Sequence, residues 1–243
     1  VASRGLGDVY KRQDKTLQSL ERLYKLLPLD NIQVDVYLTD DGCTDGTPKA
    51  VTEHFPQVNI IHAKGDLFWN RGMWTAWETA AKTKKYDFYL WLNDDTFVYD
   101  NMLEVLIEAA LETKEKAIIV GATESTDHSN ITYGGRLNDG KIPSPNGRLL
   151  KVKYFNGNIV LIPQAVYNVL GNLDPYFTHS KGDFDYGLRA TKVGFDIYQA
   201  GEVLGECDAH PTLDKWCNPN VPLSQRWKML NLSLIHISEP TRR

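Results

Sequence analysis

The chain has 243 residues, 42% of them hydrophobic and 24% charged, which suits one sizeable core or two small lobes. A formal charge of −4 argues against a nucleic-acid footprint, and no apolar run approaches the roughly 18 residues of a spanning helix. Three cysteines (Cys43, Cys207 and Cys217) are an odd number without framework spacing, which favours a reducing compartment.

In chain order, residues 16–27 place apolar side chains at helical spacing until Pro28. Residues 32–39 alternate Val34, Val36 and Leu38 against Gln33, Asp35 and Tyr37, a strand pattern. The strand runs into Asp40-Asp41-Gly42-Cys43-Thr44-Asp45-Gly46, a polar turn. Thr47 and Pro48 then open a short helix over 48–55. A strand is predicted over 58–62, a loop over 65–71 and a helix over 72–83 with Trp74 and Trp77 in the core. Residues 88–92 form the next strand, followed by a helix over 101–111 and a strand over 117–122. Helices between strands imply parallel pairing and right-handed crossovers.

After Gly121 the texture changes. Residues 123–150 are polar and rich in Gly, Asn, Ser and Pro, with short strands at 131–134 and 149–154. A strand over 158–163, a helix over 164–170, a helix over 184–193 and short strands at 195–198 and 203–204 follow. Residues 207–220 read as a loop and 223–230 as a terminal helix. Neither a repeat nor a linker divides the chain.

The chemistry concentrates where residues 87–96 (DFYLWLNDDT) end. The apolar part lacks clean alternation, so both its faces are expected to be buried. Ligands in open α/β sheets bind beyond the strands' carboxyl ends, and two adjacent carboxylates repel unless something such as a divalent cation holds them. A helix cap is the simpler reading of the same residues. Neither GxGxxG nor GxxxxGK[ST] occurs, against dinucleotide and P-loop enzymes.

Five motifs in order carry a resemblance: residues 37–47 (YLTDDGCTDGT), 65–70 (GDLFWN), 90–96 (LWLNDDT), 155–158 (FNGN) and 182–190 (GDFDYGLRA). Together they resemble a bacterial family 2 glycosyltransferase of the cell-envelope and polysaccharide type, over residues 14 to about 210. That resemblance implies the GT-A fold, an α/β domain with a mostly parallel central sheet flanked by helices. It implies a single domain over 14–231, with a nucleotide-sugar half (14–122) and an acceptor and base half (123–231). The family's opening strand, expected ahead of residue 14, is missing. Residues 1–13 (VASRGLGDVYKRQ) and 232–243 (LSLIHISEPTRR) resemble translated sequencing-adapter reads and are set aside as an artefactual leader and tail. What remains is more acidic still.

The implied activity is inverting transfer of a sugar from a UDP- or dTDP-sugar to a glycan or lipid-linked glycan hydroxyl. Alternatives are a sugar nucleotidyltransferase and a non-catalytic nucleotide-sugar or carbohydrate binder. By resemblance, Asp40 and Asp41 bind base and ribose; the alternative is an Asx-turn with Gly42. Asn70 and Arg71 lie near the nucleotide, Asn93 hydrogen-bonds ribose, and Asp94 touches metal or donor sugar. Asp95 binds Mg²⁺ or Mn²⁺, and His210 is a third ligand in some relatives. Asp183 is the candidate general base and Asp185 the runner-up; Asp183 could equally cap its helix. Gly182 stands where some relatives carry an acid. Arg189, four residues after Asp185, has salt-bridge spacing. The resemblance further implies cytoplasmic work, at the inner face of the cell membrane if the acceptor is lipid-linked.

Overall fold

The structure, a computed structural model, describes residues 12–29, 32–178, 180–209 and 221–226. The chain opens with α1 (Arg12–Lys25), which buries Leu20 and Leu23. Arg12 and Gln13, set aside with the leader above, form its first turn. Next come β1 (Tyr37–Asp41), α2 (Thr47–His54), β2 (Asn59–Ala63) and α3 (Phe68–Thr83). Asp45 accepts hydrogen bonds from Thr47 N–H (3.1 Å) and Oγ1 (2.6 Å), and a proline in the first turn completes the start of α2.

Then follow β3 (Phe88–Leu92), β4 (Phe97–Val98), α4 (Met102–Glu112) and β5 (Ala117–Glu124). The polar middle supplies β6 (Ile131–Tyr133), β7 (Gly135–Arg136), β8 (Leu150–Lys151) and β9 (Tyr154–Phe155). The chain continues through β10 (Ile159–Pro163), α5 (Gln164–Leu170), α6 (Gly182–Lys192) and β11 (Asp196–Glu206). Of the terminal helix expected over 223–230, residues 223–226 are described and helical.

The main sheet runs β3-β10-β5-β11-β4, with β6 on β5 and β8 on β11. It is mostly antiparallel, which corrects the parallel expectation. β3 and β5 do share a direction, as the α4 crossover requires, but β10 lies antiparallel between them. Parallel pairing survives at β5·β11 and in the separate β1·β2 pair. The two short strands expected near the end are one strand, β11, whose register shifts between Gln199 and Val203.

Both faces of the main sheet are covered. Along β3, Tyr89 and Trp91 join a cluster with Trp77, Tyr186 and Val166 from α3, α6 and α5. Phe88, Leu90 and Leu92 face a second cluster with Leu20, Val51 and Leu106 from α1, α2 and α4. Trp77 is fully buried, with ring centroids of Trp91, Tyr167, Tyr89 and Tyr186 at 5.2–5.5 Å.

Among the described residues β1 pairs only with β2, and β3 only with β10. Between the facing edges of β1 and β3 lies a largely apolar slot of about 630 Å³, lined by Val34, Val36, Leu38, Phe88 and Leu90 among others. Thr16, Ser19 and Asp94 stand at it too.

Candidate active site

The site gathers at the carboxyl end of β3. Because β10 runs antiparallel to β3, Ile159 pairs with Leu92, so the turn before β10 lies beside Asn93. Asn93 N–H donates to the Asn158 carbonyl at 3.2 Å. From the other side, the Trp69 indole N–H donates to Asn93 Oδ1 at 2.8 Å. Trp69 also packs over Gly157, where an added Cβ would lie 2.6 Å from its ring. The Gly157 N–H in turn donates to Asp183 Oδ2 at 3.0 Å. Asn93, Trp69, Gly157 and Asp183 thus form one continuous line of contacts across the end of the sheet.

Asp183 sits in the first turn of α6, and the Phe184 N–H donates to its other oxygen at 2.8 Å. Some of its surface meets solvent, yet protein surrounds the carboxyl closely. Burial raises its pKa to about 6 against the opposing pull of the Phe184 and Gly157 amides and, more weakly, Arg136. A carboxyl so poised can take a proton near neutral pH. Asp185 is differently engaged. Its Oδ2 accepts from Arg189 Nε at 2.7 Å, the i,i+4 pair expected, and Arg189 also donates to the carbonyls of Leu170 and Asn172.

The three residues after β3 part ways. Asp94 is buried; its Oδ2 accepts from Thr16 Oγ1 at 3.2 Å and stands 3.9 Å from Arg12. Asp95 is half-buried, and its Oδ1 accepts from the Cys207 thiol at 4.0 Å. Burial, with the Asp95 charge adding to it, pushes Cys207 up to about 12, so this sulfur is a neutral thiol. Asn158 Nδ2 donates to the same sulfur at 3.5 Å.

Asp40 and Asp41 lie at the end of β1. Asp40 accepts from the Cys43 N–H (2.8 Å) and pairs with His62 Nδ1 (2.9 Å). Asp41 accepts from three backbone amides: Gly65, Leu67 and Phe68, at 2.9–3.0 Å. These contacts explain why α3 starts at Phe68 and not at residue 72, as its periodicity suggested. A carboxylate caps its first turn.

Asn70 is fully buried, and its Nδ2 donates to the carbonyls of Asp174 (2.8 Å) and Phe177 (2.7 Å). Arg71 Nε donates to the Pro175 carbonyl at 2.9 Å. Both side chains turn to the loop ahead of α6. A Cβ on Gly182 would lie 1.7 Å from Asn70 Oδ1, so no side chain fits at this position without displacing Asn70. His210, the expected third metal ligand, lies outside the described residues, as does Cys217. Among the described residues no group of three or more His, Cys, Asp or Glu is suited to hold a metal. Sequence reasoning passed over Arg12 and Thr16 as site neighbours, since their spacing carries no signal.

Packing at Gly182 yields a test. Gly182→Ala is expected to lower stability by about 1–3 kcal/mol, the range for overpacking. Asn70→Ala with Gly182→Ala should recover part of that loss in a denaturant double-mutant cycle. Strict additivity of the two losses would show that the contact does not bear on stability.

The glycosyl transferase family 2 model matches residues 8–170. A search of curated proteins gave no match. Among solved structures, the chain is similar to a mannosyltransferase, PcManGT from Pyrobaculum calidifontis, in complex with GDP-Man and Mn²⁺. The TM-score is 0.55 at 16% identity over 87% of this chain and 56% of that one. It is also similar to GalNAc-T7 with UDP, GalNAc and Mn²⁺, with a TM-score of 0.61 at 11% identity over 86% of this chain and 43% of that one. The chain therefore spans about half the length of these solved proteins, and the likeness is one of fold. With more than half of its residues matched by the family model, and with a GT-A-like α/β fold, the chain belongs to glycosyl transferase family 2.

Proposed function

We propose that this domain transfers a sugar, with inversion, from a nucleotide diphosphate sugar to a hydroxyl of a glycan acceptor. The observation that carries the reading is Asp183. It is a carboxyl with its pKa raised to about 6, held by the Gly157 and Phe184 amides and linked through Trp69 to Asn93. In this reading Asp183 takes the acceptor hydroxyl proton as the acceptor oxygen bonds to the anomeric carbon. The anomeric bond to the diphosphate breaks on the opposite side, and its electron pair leaves with the nucleotide.

Asn93 and Asp94 line the donor side, with Asp94 oriented by Thr16 and Arg12. Asp40 and Asp41 shape the base-side loop, and Asn70 and Arg71 hold the loop that leads to Asp183. Asp185 acts through Arg189 as a positioning residue. Asp95 fits a hard divalent cation, since it is a half-buried oxygen donor that makes no ion pair among the described residues. Such cations are commonly held by one or two carboxylates together with substrate phosphates, so a protein cage is not needed. Bound Mg²⁺ or Mn²⁺ would neutralise charge on the departing diphosphate.

The two similar solved proteins carry GDP-Man and UDP, both with Mn²⁺. UDP or dTDP remains the preferred donor nucleotide here, and GDP enters the test. The slot between β1 and β3 suits an opening strand that would lead into α1 by a right-handed crossover. No helix among the described residues is long and apolar enough to cross a membrane. A role in bacterial envelope or polysaccharide synthesis, on the cytoplasmic side and in peripheral contact with the membrane, completes the proposal.

Two measurements test it. In thermal-shift assays one of UDP, dTDP and GDP should raise the melting temperature only with Mn²⁺, and Asp95→Ala should abolish the rise. A folded protein that responds to none of them contradicts the donor site. The second concerns pH. Transfer should climb about tenfold per pH unit below about 6 and level off above, and Asp183→Asn should cost roughly 10²–10⁴ in rate. Stability has its own sign. Because folding raises the Asp183 pKa, its contribution is fully present below the ordinary carboxyl range and is lost as pH rises through about 6. Asp183→Asn should remove that downward slope between pH 4 and 6; a slope unchanged in the variant would assign it to other groups.

A further inference from the structure

Beside Asp183 stands a second cluster that the reaction described above does not use. Arg136, on β7, is half-buried. Its Nε donates to Asn156 Oδ1 at 2.9 Å and its Nη1 to the Gly140 carbonyl at 2.7 Å. Both acceptors are neutral. Among the described residues Arg136 makes no ion pair, whereas the basic groups of Arg12, Arg22, Lys25, Lys84, Lys151 and Arg189 each meet a carboxylate. Its guanidinium lies 5.9 Å from the centre of the Phe184 ring. Phe184 packs against Tyr154 at 4.8 Å between centroids, and both rings are partly exposed. Phe184 directly follows Asp183, and Asn156 directly precedes the Gly157 amide that holds it.

We propose that Arg136, Asn156, Phe184 and Tyr154 form an acceptor subsite that takes a saccharide bearing a carboxylate or phosphate group. The proposal rests on the reading of Asp183 as the base. An aromatic pair offers an apolar face to a sugar ring, and a guanidinium fixed by two neutral acceptors keeps its charge for an anion. Service to Asp183 alone explains Arg136 poorly: its pull is the last of the influences on that carboxyl, behind burial and the amides. Anionic recognition would also give an acidic chain, of net charge −4, a local reason to bind an acidic glycan.

The test is ligand-observed NMR binding at fixed ionic strength. The probes are methyl glucuronide, methyl glucoside 6-phosphate and methyl glucoside, with inorganic phosphate as competitor. The wild-type chain should bind the two anionic glycosides about fivefold or more tighter than the neutral one, the scale of a charge-assisted hydrogen bond. Arg136→Gln, checked for folding by its melting temperature, should reduce that preference to less than about twofold. Phe184→Leu should weaken all three glycosides together. Equal binding of the neutral glycoside, a preference that survives Arg136→Gln, or no binding of any glycoside overturns the proposal. Competition by inorganic phosphate as strong as that of the sugar phosphate overturns the saccharide part. A preference for one anionic glycoside over the other identifies carboxylate or phosphate as the group recognised. Nucleotide thermal shifts, read separately, report on the donor side and stay unchanged if this subsite alone is wrong.

Discussion

Everything in the candidate site depends on β10 lying antiparallel between β3 and β5. Antiparallel pairing makes β10 begin where β3 ends, with Ile159 opposite Leu92. The turn at residues 156–158 is thereby delivered to Asn93, and the Gly157 amide to Asp183. Had the sheet been parallel throughout, β10 would begin at the opposite end of β3, far from these groups. The reversal is also what joins the halves of the domain. One half brings the carboxylates after β3, and the other brings Asp183 at the start of α6.

The aromatic layer under the site holds this arrangement rigid. Trp91 reaches Trp69 at 6.4 Å, Trp77 and Tyr186 at 5.2 Å and Phe155 at 6.0 Å between ring centroids. Trp69 links β3 to the Gly157 turn, Phe155 belongs to that turn's leading strand, and Tyr186 belongs to α6. One buried tryptophan therefore touches α3, the strand that leads into the Gly157 turn, and α6. Close packing of this kind resists small displacements, and a catalytic geometry requires such resistance. On the opposite face, Tyr24 of α1 stacks on Phe55 at the end of α2, 5.4 Å between centroids, and the slot lies between β1 and β3.

Much of this was legible in the residues. Burial of β3 on both faces was visible in its missing alternation, and Thr47-Pro48 marked the start of α2. The pair Asp185–Arg189 followed from i,i+4 spacing alone. Sheet direction was not legible, because helices between strands set the relative sense of β3 and β5 but say nothing about a later strand inserted between them. The start of α3 was missed because its cap comes from Asp41, 27 residues before Phe68, and local propensity cannot register so distant a partner. Gly182 looked like a departure from pattern. It is a packing requirement set by Asn70, more than a hundred residues earlier. The contacts of Asp94 with Arg12 and Thr16 were hidden for the same reason, and also because Arg12 had been set aside with the leader.

In the proposed function, Asp95 and Asp183 flank one donor site at the end of β3. Crystals grown with Mn²⁺ and the nucleotide diphosphate that stabilises the chain, measured for Mn²⁺ anomalous scattering, test it most directly. One strong peak is expected on the Asp95 carboxylate, with the diphosphate against it and open space between that diphosphate and Asp183. A peak elsewhere with Asp95 bare, or a nucleotide bound away from the end of β3, would contradict it.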